Sequence, residues 1–147
     1  MDGPHGAFTN DVGGAAGFVM IAGGVGVTPM MSMLRTAAHR RDQRPYRLVV
    51  VAGAPGDLLF RAELAQLRRH LDLEVTEVLR RPTPGWSGHT GEIGVELLSV
   101  VVLDGVHPED VDYFVCGPPS LVTDAMSALD VLGVAPGRVH TEQFDFA

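Results

Sequence analysis

Phe18-Val19-Met20-Ile21-Ala22-Gly23-Gly24-Val25-Gly26-Val27-Thr28-Pro29 is the stretch that decides how this chain is read. The run Phe18–Ala22 is short, apolar and suited to extended backbone, as a strand covered on both faces requires. Gly23, Gly24 and Gly26 let the chain turn sharply and leave no side chain in a ligand's way. Thr28 is placed to cap a following helix, and Pro29 to take its first position, where no amide hydrogen is needed. A helix N-terminus offers free N–H groups and a partial positive charge, so this turn favours an anionic group, typically a pyrophosphate. The turn reads as exposed, with substitution of Gly26 expected to block the ligand and spare the fold. Taken alone, a glycine turn after a strand also has a purely structural reading.

Downstream, Met30, Met33, Leu34, Ala37 and Ala38 follow helical spacing up to the basic pair Arg40-Arg41. The methionines read as core packing rather than as an adaptable binding surface. Tyr46–Ala52 is a second buried strand, closed by Gly53-Ala54-Pro55-Gly56. Asp57 is expected to cap a helix carrying Phe60, Leu64, Leu67 and Leu71. Leu73–Leu79 is a third strand, and the polar segment 80–91 is a loop. Residues 93–103 combine helix-like and strand-like features and are read as a helix. Tyr113–Cys116 is a fourth strand, followed by Gly117-Pro118-Pro119 and a helix ending at Gly133. Arg138–Glu142 is a fifth strand. Upstream of the opening stretch, residues 1–16 are glycine-rich and read as a connector, leaving 17–147 as the folded domain.

Strand and helix alternate five times, which predicts an α/β fold: a five-stranded parallel sheet with helices on both faces. Ligands of such sheets bind at the carboxyl ends of the strands. The Gly24–Pro29 turn, Gly53, Arg80-Arg81, Cys116–Pro119 and Glu142 all fall at that edge.

Composition removes several alternatives. The 147 residues make one domain with a formal net charge of −7, which argues against nucleic acid as a partner. Hydrophobic residues are 46% of the chain, yet no apolar run approaches the ~18 residues of a membrane span, and no secretory signal is read ahead of the domain. A single cysteine excludes an internal disulfide, and four would be needed for an iron–sulfur cluster. The histidines show no metal-ligand spacing, so no metal site is expected. The chain has no lysine, which rules out a phosphate-loop ATPase.

The remaining motifs are ambiguous one by one. Gly24-x-Gly26 matches the first half of a dinucleotide fingerprint, but Pro29 stands at its third glycine and no acid closes the second strand. Cys116 directly after a strand invites a phosphatase or rhodanese reading. A phosphatase loop, however, needs an arginine where Val122 stands, and a lone buried cysteine is more often inert. No Gly-x-Ser-x-Gly elbow is present. Arg80-Arg81 is divided between a solvated loop and a ligand contact, and Glu142 alone would pass as surface charge.

Together the pieces resemble the nicotinamide-nucleotide domain of the ferredoxin–NADP reductase superfamily. The resemblance rests on Gly-Pro-His-Gly-Ala-Phe-Thr (3–9), Ile-Ala-Gly-Gly-Val-Gly-Val-Thr-Pro-Met-Met-Ser-Met-Leu-Arg (21–35), Asp-Leu-Leu-Phe-Arg-Ala-Glu-Leu (57–64), Phe-Val-Cys-Gly-Pro-Pro (114–119) and His-Thr-Glu-Gln-Phe (140–144). In detail it is similar to bacterial members joined to ferric-reductase-like membrane domains, and to NADPH oxidases. The resemblance implies pyrophosphate over Gly24, Val25, Gly26, Val27 and Thr28, with Thr28 and Pro29 bordering the nicotinamide. It implies that Cys116, Gly117, Pro118 and Pro119 form the opposite wall, Cys116 lying near the carbon that gives up hydride. Glu142 and Phe144 would approach the flavin, Arg80 and Arg81 would contact the adenosine ribose, and Gly53 is a further expected cofactor-binding residue. Members often carry serine or an acid where Arg80 stands. NADPH or NADH is therefore the expected cofactor, with a lean to NADPH.

The family's flavin domain carries an Arg-x-Tyr/Phe-Ser/Thr signature, and the nearest string here, Arg44-Pro45-Tyr46-Arg47, fails at its last position. FAD is thus expected in a partner domain, of which residues 1–16 would be the connector. A haem-containing membrane domain is a further implied partner, and a cytoplasmic setting at the membrane face an implied location. The expectation is half of a flavin-dependent oxidoreductase, inactive alone. The competing reading is a non-catalytic nucleotide-binding or sensing module.

Overall fold

The computed structural model of the protein describes residues 14–101 and 108–143. Ten elements follow in order: β1 (Gly17–Gly23), α1 (Val27–His39), β2 (Tyr46–Ala52), α2 (Arg61–Leu67), β3 (Leu73–Leu79), β4 (His89–Thr90), α3 (Val95–Val100), β5 (Val111–Gly117), α4 (Pro119–Val131) and β6 (Val139–Gln143). The strands form one parallel sheet in the order β4-β3-β2-β1-β5-β6. The expected five strands become six, because His89–Thr90 in the polar loop adds a two-residue edge beside Val78 and Leu79. The Trp86 indole holds that loop by donating to the His89 carbonyl at 2.9 Å.

All seven residues of β1 are buried, and alternate side chains serve opposite faces. Phe18, Met20 and Ala22 meet Met30, Met31 and Leu34 of α1 and Leu64 and Leu67 of α2. Val19 and Ile21 meet Leu98 of α3 and Leu121, Val122, Ala125 and Leu129 of α4. Helices therefore cover both faces, which is why the strands read as unbroken apolar runs. At the end of α4, Gly133 adopts φ +86° and donates to Asp130, while Val134 donates to Leu129. This is the hydrogen-bonded stop that glycine permits.

Three local expectations are corrected. A single turn of 3-10 helix, Gly24–Gly26, precedes α1, whose N-cap is Gly26; Thr28 makes no capping bond and Pro29 lies third in the helix. Asp57 does not cap α2. It closes a short turn, Pro55–Asp57, by accepting from the Ala54 N–H at 3.3 Å, and α2 starts after Phe60. Leu71 is buried but lies beyond α2. The expected helix at 93–103 is α3, with residues 102 and 103 outside the described residues, as is most of the 1–16 connector.

The amino ends of the strands are tied by ion pairs. Asp42 accepts from Arg44 Nη2 at 2.7 Å and from the Tyr46 hydroxyl at 2.6 Å. Burial opposes ionisation of Asp42, but the bonds from Arg44 and Tyr46 outweigh it and lower its pKa to about 2. The Arg44 guanidinium lies 4.7 Å over the Phe18 ring, which stacks on Tyr46 at 4.8 Å. On the other side of β1, fully buried Asp112 accepts from Arg138 Nη1 at 2.7 Å.

Candidate functional site

The sheet order reverses between β1 and β5: the chain moves from β1 outward to β4, then returns to the other side of β1. In open parallel sheets the crevice at such a reversal, at the carboxyl ends of the strands, is where ligands bind. Here it lies between Gly23–Gly26 on one strand end and Cys116–Pro118 on the other, with α1 and α4 both starting at this edge. The unbonded N–H groups of their first turns lie at this edge, those of α4 starting at Ser120 because Pro118 and Pro119 carry none, and neither helix has a side-chain cap there.

The glycines have separate jobs. Gly24 adopts φ +59° with open space around it, so only its backbone borders the crevice. Gly26 differs from expectation: it is buried, and a Cβ there would lie 2.6 Å from the Cys116 carbonyl carbon. The turn closes by backbone packing against β5, so any side chain at position 26 separates the two walls. Gly23 and Gly117 sit side by side under Leu121, whose Cδ2 would be 2.6 Å from a Cβ on Gly23.

Beside the turn a cavity of about 430 Å³ opens, lined by Gly23, Gly24, Val25, Val51, Ala52, Gly53, Gly56, Asp57, Leu59, Arg80 and Pro118. Of the residues expected to hold a nucleotide, Gly24, Val25, Gly53, Arg80 and Pro118 line it. Gly26 and Val27 are buried beneath the turn, while Thr28 is exposed and Pro29 half-buried on α1. The N–H groups of Arg80 and Arg81 bond the carbonyls of Ala52 and Gly53 at 3.0 and 2.8 Å, extending the β2–β3 ladder into the loop. Arg80 Nε is 3.7 Å from Glu92, whereas the Arg81 guanidinium lies against Gly53, where a Cβ would be 3.0 Å from its Cζ. Arg80 lines the cavity, and the Arg81 guanidinium packs on Gly53 at its edge.

On the β5 side, Cys116 pairs with Glu142 in register on β6. The thiol is fully buried, and burial, then the neighbouring Glu142 charge, pushes its pKa up to about 12. It is a neutral thiol at physiological pH, unsuited to nucleophilic work. Gly117 and Pro118 continue the wall and Pro119 opens α4. Phe144 lies outside the described residues. The cavity residues that the sequence did not mark as cofactor-binding are Gly23, Val51, Ala52, Gly56, Asp57 and Leu59, the last two at a bend whose sequence reads as a helix cap and the start of its helix. Among the described residues no group of histidine, cysteine, aspartate or glutamate is arranged to hold a metal, and no helix is long and apolar enough to cross a membrane.

With this geometry in view, the comparisons with known proteins agree. Residues 20–127 match the family described as the oxidoreductase NAD-binding domain. The chain is 30% identical over 146 residues to the flavohemoprotein of Bacillus subtilis (strain 168), covering 96% of this chain and 36% of that protein. It is 33% identical over 147 residues to ferredoxin–NADP reductase B of Sorangium cellulosum (strain So ce56), covering 97% of this chain and 60% of that one. The flavohem-like FAD/NAD-binding domain of the nitric oxide dioxygenase of Vibrio cholerae O1 biovar El Tor superposes with a TM-score of 0.75 at 28% identity, over 86% of this chain and 50% of that chain. The chain thus spans under two thirds of the length of each of these relatives. The crevice at the sheet reversal, the glycine turn packed on β5 and these matches place the chain in the oxidoreductase NAD-binding domain family, within the ferredoxin–NADP reductase superfamily.

Proposed function

We propose that this chain is the nucleotide-binding half of a flavin-dependent oxidoreductase, presenting NAD(P)H to FAD held by a partner domain. The observation that carries the proposal is the Gly23–Gly26 turn packed on Cys116–Pro118 beside a cavity of about 430 Å³. The residues fit such a cofactor: Gly24 exposes only backbone, two helix N-termini point at the crevice, and Arg80 supplies a cation. The bound nicotinamide supplies the hydride. This chain orients the dinucleotide and keeps water from one face, and no residue here acts as nucleophile or strong base.

Gly24–Thr28 hold the pyrophosphate, Thr28 and Pro29 border the nicotinamide, and Cys116–Pro119 form the opposite wall. Cys116 contributes as a neutral, packed group, and Glu142 lies toward the flavin. Arg80 favours NADPH over NADH by pairing with a 2′-phosphate. Asp57 lines the same cavity and opposes it, so the preference is a difference between two charges. The relatives' greater length supports a flavin domain as partner, with a haem-bearing domain beyond it as electron acceptor.

The test is NAD(P)H oxidation with ferricyanide or a tetrazolium dye, with and without the separately produced flavin domain. Hydride transfer needs the reacting atoms about 3–3.5 Å apart, so turnover is expected only when both halves are present. Robust turnover by the purified, flavin-free chain would overturn the proposal. Nucleotide binding without turnover in the reconstituted pair would favour a sensing module.

A further inference from the structure

Phe60 is, with Arg41, one of two non-glycine residues of positive φ in the described structure, and it stands beside the cavity. Its backbone is left-handed, at φ 61° and ψ 23°. A bulky L residue holds that conformation only where its surroundings impose it, and such outliers gather at functional sites. Two charged side chains pack around it. Arg35 of α1 places its guanidinium 5.7 Å over the Phe60 ring, and the same guanidinium forks onto Glu63 of α2 at 2.6 and 2.7 Å. The Phe60 carbonyl accepts the Leu64 N–H at 2.8 Å and so starts α2. The bend leaves two adjacent apolar side chains in water: Phe60 is 37% and Leu59 39% exposed. Leu59 and Arg80 both line the cavity, which opens beyond the end of β2.

We infer that Phe60 is a positioning residue for the adenosine half of the dinucleotide: its braced left-handed bend aims Leu59 into the cavity, where the leucine and Arg80 sandwich a planar base. This rests on the nucleotide-binding reading above. In parallel sheets of this kind the pyrophosphate lies at the first strand–helix turn and the adenosine runs toward the end of the second strand. A flat apolar base matches an exposed leucine on one side and a guanidinium plane on the other.

The test is titration of the chain with ADP-ribose by calorimetry and with nicotinamide mononucleotide by saturation-transfer NMR, alongside melting temperatures. Phe60→Gly frees the bend and is expected to weaken ADP-ribose about tenfold, leave the mononucleotide within twofold and not lower the melting temperature. Phe60→Leu keeps the bulk but loses the ring under Arg35, and should act in the same direction. Phe60→Tyr restores the ring and should return ADP-ribose affinity to within twofold of the parent. Unchanged ADP-ribose affinity in Phe60→Gly, or equal losses for both ligands, would overturn the inference alone. A parent chain that binds neither ligand would overturn the nucleotide reading itself.

Discussion

The two ends of one sheet are built on opposite plans. At the amino edge, side chains hold the strands: Asp42, Arg44, Tyr46 and Phe18 form a bonded and stacked group, and Arg138 neutralises buried Asp112. At the carboxyl edge of β1 and β5 backbone packs on backbone, with Gly26 against the Cys116 carbonyl and Gly23 beside Gly117 under Leu121. Paired charges give strength at the amino edge, although Asp112 Oδ2, His140 Nε2 and Arg47 Nε are buried without a hydrogen-bond partner. Bare backbone with helix ends behind it gives little strength and leaves hydrogen-bonding groups for a ligand. Stability and function are thus assigned to opposite edges, and substitutions should separate them everywhere except where the glycine turn serves both.

That exception gives the largest expected effect. Gly26→Val forces a side chain into the Cys116 carbonyl, so it should cost at least about 3 kcal/mol of stability, the upper end for forced overpacking, together with nucleotide affinity. Gly24→Ala, two residues away in open space, should cost only the left-handed strain of about 1–2 kcal/mol. Thermal unfolding with calorimetric titration separates the pair, and equal costs would erase the distinction drawn between these glycines.

Next in size is the amino edge. Asp42→Ala should lower stability by about 2–3 kcal/mol, below the cost of breaking a fully buried pair because Arg44 keeps some contact with water. Nucleotide affinity should stay within twofold. The same group gives a pH signature. Its folded pKa is about 2, below the ordinary value near 4, so its stabilisation is complete above about pH 4 and is lost as pH falls through about 2. The step is worth about 1–2 kcal/mol after solvent screening, and Asp42→Asn should remove it from an acid-unfolding profile. A profile identical in both proteins would move the acid-sensitive group elsewhere.

The smallest effect belongs to the exposed rim of the site. Arg80→Ala should weaken NADPH about tenfold and NADH less than threefold. Equal losses for the two cofactors would mean that Arg80 does not read the phosphate.

The central strands were legible because β1, β2 and the core of β5 are covered on both faces and so read as unbroken apolar runs. The glycine turn was legible as a turn but not as packed structure. What buries Gly26 is the carbonyl of Cys116, on a strand far along the chain, and a sequence carries no trace of which backbone atoms meet. β4 escaped notice because two polar residues held by a backbone ladder and a tryptophan have no hydrophobic pattern. At the second rim the spacing of Phe60, Leu64, Leu67 and Leu71 suits a helix, yet the helix spans only the middle of it. At the left-handed bend Phe60 packs under Arg35 of α1, a contact from a distant element that local spacing cannot show, so the bend was concealed, and Asp57 and Leu59 with it.

The position of β1 also bears on how the chain comes to be folded. Its two neighbours are β2, which follows almost at once, and β5, which is reached only after β2, β3, β4 and three helices. On a ribosome, β1 and β2 emerge together, while the other side of β1 waits for β5. During that interval Phe18–Ala22 presents an apolar strand with one unpaired edge, the form most prone to pairing with another copy. Distant parallel pairing is slow to form, so the docking of β5 is the step that closes the vulnerable state. Chains cut short before Val111 should accumulate as aggregates rather than as small soluble domains, whatever nucleotide is supplied.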